Sequence, residues 1–197
     1  ILLGDGLQSL AFEMISSSNL SLKENTKLNI ISDLSQSIGF NGMVGGQMMD
    51  LISEGRYNQF SPDEKYIMQT QKLKTGALIT FSLKAGGLIG GANKEELIIL
   101  EKFGEKIGLA FQIIDDILDC TSSENELGKS VDADIKLGKT TFVTLLGLQE
   151  SKNKVKKLIQ EAKIEISKIS KDVEKLIMLA EFVEYRNSKS FARVIFW

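Results

Sequence analysis

The residues in this chain best suited to chemistry run Phe111-Gln112-Ile113-Ile114-Asp115-Asp116-Ile117-Leu118-Asp119. On a helix, Ile107, Ala110, Phe111, Ile114 and Leu118 make one apolar stripe, while Gln112, Asp115, Asp116 and Asp119 fall together at spacings of three and four. Carboxylates sharing one face repel one another by about a few tenths of a kcal/mol per pair, and burial would multiply that cost. A cation relieves it. Oxygen donors without imidazole or thiolate suit Mg2+, which keeps several waters and bridges one or two carboxylates to substrate phosphates.

A solvated acidic helix end would account for the acids alone, but not for the lysines and glycines C-terminal to them. Gly128-Lys129-Ser130, Asp132 and Gly138-Lys139-Thr140-Thr141 put two lysines in glycine-flanked loops just past the cluster. Lysine is a point-charge partner for phosphate, and glycine lets the backbone approach. The set reads as metal ligands followed by cationic diphosphate clamps. The GK[ST] triplets are not P-loops, because that motif needs a glycine where the chain has Ser123 or Ala133, and neither triplet follows a strand. An EF-hand loop begun at Asp115 would place Ile117 at its third position and Cys120 where glycine is required. Lys74-Thr75-Gly76 is a second basic element inside a helical stretch. Alone, it reads either as a surface lysine beside a helix-weakening glycine or as a kink that bares backbone carbonyls.

With 197 residues, 43% of them hydrophobic, the chain is large enough for one domain with a real core. A net charge of -2 with scattered Lys and Arg gives no footprint for nucleic acid or an anionic membrane. The absence of histidine excludes Ser-His and Cys-His nucleophile pairs, imidazole bases and histidine metal ligands. A single cysteine, Cys120, rules out an internal disulfide and a cysteine-rich zinc site, so a reducing, cytoplasmic setting is expected. No apolar run reaches the roughly eighteen residues needed for a membrane span. The chain starts at Ile1, already inside a helix-like pattern, and is expected to lack the N-terminal part of its protein.

Strand signals are absent and the periodicity is helical almost throughout, so the fold is expected to be all-α. Helices are predicted at about 3–17, 22–37, 42–53, 62–91, 94–119, 141–164 and 168–186. Starts are marked by Ser21 with Glu24, Ser61 with Pro62 and Glu64, and Asn93 with Glu96. Gly42, Gly45 and Gly46 each weaken a helix interior by up to about 1 kcal/mol relative to alanine, an effect offset either by close helix packing or by room left for a ligand. No linker divides these elements.

Taken in order, several segments resemble the trans-isoprenyl (polyprenyl) diphosphate synthases, in particular the bacterial farnesyl and geranylgeranyl diphosphate synthase branch. They are Leu3-Gly4-Asp5-Gly6-Leu7-Gln8-Ser9-Leu10-Ala11-Phe12-Glu13, Gly42-Met43-Val44-Gly45-Gly46-Gln47-Met48-Met49-Asp50-Leu51, Lys74-Thr75-Gly76-Ala77-Leu78, Gly108 to Asp119, and Gly128-Lys129 through Asp132 to Gly138-Lys139-Thr140-Thr141. The resemblance covers about 1–189 as a single domain lacking its N-terminal helices; 190–197 form an apolar tail unlike the family's ending.

The resemblance implies an isoprenoid synthase bundle of mostly antiparallel helices around a central apolar pocket. Two facing aspartate-rich motifs would stand at its mouth, and only the second, Asp115, Asp116 and Asp119, is present here. It implies condensation of an allylic diphosphate with isopentenyl diphosphate, several Mg2+ ions per site, and a homodimer. Asp115, Asp116 and Asp119 would then hold metal. Lys74, Lys129 and Lys139 would meet diphosphate oxygens, Asp132 would order the closing loop, and Thr75 and Gln112 would face the reacting carbon. Without the first motif, these 197 residues are expected to be inactive by themselves. Two other readings are a noncatalytic subunit of the family and a terpene cyclase; cyclases generally carry a mixed Asn, Ser and Glu metal motif on this helix, which is not seen here.

Overall fold

A computed structural model describes residues 1–17, 22–53, 61–127 and 140–186, with the backbone alone for 122–127. Every regular element among them is helical: α1 (Leu2–Ser17), α2 (Glu24–Ile38), α3 (Met43–Ser53), α4 (Glu64–Gln71), a π-helical turn (Lys72–Gly76), α5 (Ala77–Ile89), α6 (Lys94–Leu127), α7 (Phe142–Leu146), α8 (Leu148–Ile166) and α9 (Glu174–Tyr185). None of these helices is long and apolar enough to cross a membrane. The tail at 190–197 lies outside the described residues.

The long helix α6 is the axis of the molecule, packed against α5, α8, α9 and the π turn. Its starting signal works as the sequence predicts. Asn93 Oδ1 accepts the Glu96 N–H, and the Glu96 carboxylate accepts the Asn93 N–H, each at 2.9 Å. Contacts between α5 and α6 run antiparallel: Gly87 lies against Leu100, Gly104 against Thr80, and Gly108 against Gly76. The α6 and α8 pair does the same through Lys106–Glu161 at 3.2 Å and Lys102–Glu165 at 3.9 Å. By contrast α9 runs parallel to α6, because Lys171 just before its start meets Glu96 and Arg186 at its end meets Asp115.

The core is built on α6, where Phe103, Ile107, Ala110, Ile113, Ile114 and Ile117 are buried against Val155, Ile159, Ala162 and Ile166 of α8 and Ala180 and Val183 of α9. Each fully buried Ile or Phe contributes roughly 1.5–3 kcal/mol, so Phe103→Ala alone would cost about 3–5 kcal/mol. The expected apolar stripe is too narrow: Ile113 and Ile117 are also buried, whereas Phe111 and Leu118 are only half-buried, because helices flank α6 on more than one side.

Several sequence boundaries need correction: the helix expected over 94–119 runs on to Leu127, and the one expected over 168–186 starts at Glu174. The helix expected over 62–91 starts at Asp63 rather than Ser61; the Asp63 side chain accepts the Tyr66 N–H at 2.7 Å. At its middle it passes through the π turn. The helix expected over 141–164 is two helices, broken at Gly147, whose φ of +81° suits glycine and turns the chain between α7 and α8. Ser21 lies outside the described residues, and Lys23 occupies the N-cap of α2 without a capping side chain.

Candidate functional site

At the π turn the backbone passes close to two neighbouring helices at once. A Cβ on Gly46 of α3 would fall 2.2 Å from the Lys74 backbone nitrogen, and one on Gly108 of α6 would fall 2.8 Å from the Gly76 Cα. Close helix packing therefore accounts for Gly46. Wedged between these glycines, the turn carries Lys74 and Thr75, and π turns of this kind are frequent at functional sites.

Lys74 is drawn toward α3, where its Nζ meets Asp50 Oδ2 at 2.5 Å; the Asp50 side chain is 7% exposed and that of Lys74 30%. Asp50 is the residue that sequence reasoning missed. An acid one turn after Gly46 in an otherwise apolar helix was the available signal, and its partner lies far along the chain. Nearby, Tyr66 Oη donates to the Met49 carbonyl at 2.9 Å, and burial followed by the Asp50 charge raises the Tyr66 hydroxyl above its ordinary value.

Thr75 points the other way, to α6. Its hydroxyl donates to Gln112 Oε1 at 3.1 Å, and Gln112 Nε2 in turn donates to Asp116 Oδ1 at 3.4 Å. The remaining Asp116 oxygen, Oδ2, accepts the Phe142 backbone N–H at 3.1 Å. This relay joins the π turn, α6 and the start of α7. Thr141 caps α7 reciprocally with Thr144: its Oγ1 accepts the Thr144 N–H at 3.2 Å, while Thr144 Oγ1 accepts the Thr141 N–H at 2.8 Å. The start of α7 is thus held at Asp116. Lys129, Asp132 and Lys139 belong to the segment between α6 and α7 and lie outside the described residues.

The carboxylates do not share one face as expected. Asp116 is buried and turned toward Gln112 and Phe142, while Asp119 is exposed and Asp115 lies between these extremes. A step of one residue rotates about 100° around a helix, whereas four residues nearly close a turn. Asp115 and Asp119 therefore remain aligned and Asp116 falls to the side. Partial burial raises the Asp115 carboxyl above its ordinary value; the Arg186 guanidinium pulls it down, and the Asp119 charge adds to the rise.

Arg186 is the second residue that motif reading did not assign. At the C-cap of α9, its Nη2 lies 2.8 Å from Asp115 Oδ1, and its guanidinium carbon sits 4.1 Å from the centre of the Phe111 ring. Among the described residues, no cluster of three acidic or cysteine side chains forms a closed metal cage. Two aligned, mutually repelling carboxylates suit a hard divalent ion that takes its remaining ligands from water and phosphate.

An all-helical bundle of this connectivity is the isoprenoid synthase fold. It matches the apo structure of a FPP/GFPP synthase from Zymomonas mobilis with a TM-score of 0.79 at 34% identity, over 91% of this chain and 59% of that one. A geranyltransferase from Helicobacter pylori, solved in complex with magnesium and isoprenyl diphosphate, matches with a TM-score of 0.73 at 32% identity, over 92% of this chain and 58% of that one. The family model for polyprenyl synthetase covers residues 1–179, and the chain belongs to that family. It is 37% identical to the farnesyl diphosphate synthase of Escherichia coli and 36% identical to a geranylgeranyl diphosphate synthase of Cyanophora paradoxa, each over 95% of this chain. The chain spans 62–63% of the length of these two relatives.

Proposed function

We propose that the protein is a prenyltransferase that condenses an allylic diphosphate with isopentenyl diphosphate to give a longer trans-polyprenyl diphosphate. Beyond family membership, the observation that carries this reading is the relay from Thr75 through Gln112 to Asp116. It ties a lysine-bearing turn to the carboxylate-bearing stretch of α6. In the reaction the allylic carbon–oxygen bond breaks and diphosphate leaves with the electron pair. The isopentenyl double bond attacks the resulting cation, and a proton is lost to the departing diphosphate.

In this reading Asp115 and Asp119 would hold Mg2+, which would supply positive charge to the leaving diphosphate, whereas Asp116, expected to join them, is instead engaged by Gln112 and Phe142. Lys74, Lys129 and Lys139 add positive charge to the diphosphate oxygens, a form of assistance that grows as the bond breaks. Thr75 and Gln112 direct their dipoles toward the allylic carbon, Asp116 fixes the start of α7, and Asp132 orders the segment before it. A reducing, cytoplasmic setting is proposed with this activity, supported by Cys120 being the chain's single cysteine. A homodimer is proposed as the assembly, supported by the exposed Leu2, Leu7, Leu10 and Met14 of α1. The 197 residues alone are proposed to be inactive, since they supply one aspartate-rich cluster.

Labelled isopentenyl diphosphate incorporation tests the reading, with dimethylallyl, geranyl and farnesyl diphosphates offered in turn to the complete protein. Incorporation is expected, and Asp115→Ala is expected to lower kcat by orders of magnitude. A complete protein that incorporates no label with any of the three would instead be a noncatalytic subunit.

A further inference from the structure

We propose that Arg186 is a latch: its guanidinium pairs with Asp115, and a divalent cation must displace it to bind there. The inference rests on the reading of Asp115 as a cation ligand, and it concerns what holds that carboxylate before the ion arrives.

The geometry supplies each part. Nη2 of Arg186 stands 2.8 Å from Asp115 Oδ1, a position from which it neutralises the carboxylate and blocks one of its oxygens. A metal ion on the same carboxylate would face a fixed positive charge a few ångströms away, so the two cations compete for the site. The guanidinium does not rest on the ion pair alone. It lies over the Phe111 ring at 4.1 Å, and Phe111 precedes Asp115 by one turn of α6. The latch is therefore seated on two residues of a single helix face.

Its other features make it releasable. Nη1 of Arg186 is buried with no hydrogen-bond partner, so the latched state leaves one donor of a charged group unmatched. The Arg186 side chain is 33% exposed, and rotation about its aliphatic stem would free the guanidinium without moving α9 out of its seat on Ala180 and Val183. Asp119, exposed one turn beyond Asp115, has no cationic partner among the described residues and gives an arriving ion a first foothold. The exchange needs no covalent step: one cation replaces another on the same carboxylate.

The test is titration of the complete protein with Mn2+ alone, with free ion read from its paramagnetic resonance signal. Arg186→Gln is expected to tighten Mn2+ binding about fivefold, the scale of a partly exposed ion pair reinforced by a ring contact. Phe111→Leu keeps the apolar packing, removes the ring, and is expected to tighten binding about twofold. On saturation with diamagnetic Mg2+, the Arg186 Nε–H signal is expected to move to the position of solvent-exposed arginines. Unchanged or weaker Mn2+ affinity in both variants, or an unmoved Arg186 signal at saturation, would overturn the latch. Asp115→Asn distinguishes failure of the latch from failure of the metal site beneath it. If it leaves Mn2+ binding intact, the metal reading of Asp115 falls and the latch falls with it. If it abolishes binding while both variants match the parent, only the latch falls.

Discussion

The backbone N–H of Phe142 donates to Asp116 Oδ2 at 3.1 Å, joining the chemical stretch of α6 to the first residue of α7 across 26 positions of sequence. Asp116 is buried, and its other oxygen accepts from Gln112. Asp116→Ala therefore strands a buried N–H and is expected to lower unfolding free energy by about 1–3 kcal/mol in urea denaturation. Asp116→Asn keeps a carbonyl for Phe142 and should lose less. An alanine variant with the parent's midpoint would show that the carboxylate does not anchor α7.

Lys74 and Asp50 are joined across α3 and the π turn, with Asp50 the more deeply buried partner. Lys74→Met leaves that carboxylate without its cation, a loss expected to reach about 1–3 kcal/mol, reduced from the fully buried case because Lys74 is partly exposed. Adding Asp50→Asn should recover much of it. A double-mutant cycle by thermal unfolding checks the coupling, and additive effects would mean that the two side chains act independently.

The seat of the π turn can be tested with two glycines. At Gly46 an added Cβ would fall 2.2 Å from the Lys74 backbone nitrogen, whereas at Gly4 it meets nothing within 4 Å. Gly46→Ala should therefore destabilise by about 1–3 kcal/mol through overpacking. Gly4→Ala should be neutral or stabilising by up to about 1 kcal/mol, the helix-propensity gain. Equal midpoints for the two variants would contradict the close approach of α3 to the turn.

Glu96 carries a pH dependence of stability. Its carboxyl is held below its ordinary value, first by the hydrogen bond from Lys171 and then by the Asn93 N–H. The unfolded chain thus takes up this proton more readily than the folded one. The stability contributed is fully present above the ordinary value of 4.5 and is lost as pH falls through the lowered folded value. Glu96→Gln keeps the cap's shape but does not titrate. The stability difference between parent and variant is expected to shrink as pH drops below 4.5, measured by urea midpoints across the acid range; a constant difference would remove Glu96 from the titration.

Much of this protein was legible in its sequence because the relevant signals are local. The Asn93–Glu96 box, the apolar periodicity of α6 and the Lys74-Thr75-Gly76 interruption each depend on residues within a turn or two, and each has a counterpart in the structure. The split at Gly147 escaped because a glycine inside a helical pattern does not announce its φ, and apolar residues continue on both sides of it.

Periodicity placed Asp115, Asp116 and Asp119 together on one face of α6, whereas in the structure Asp116 turns aside, one residue step being about 100° around the axis. What each carboxylate meets was decided by chain far away in sequence: Phe142 returning to Asp116, Asp50 lying across from Lys74, and Arg186 arriving over Phe111 at the end of α9. Helix formation is governed by neighbours three and four residues apart, and such neighbours can be counted along the chain. The partner of a charged side chain is set by how helices pack, and that depends on the whole core at once.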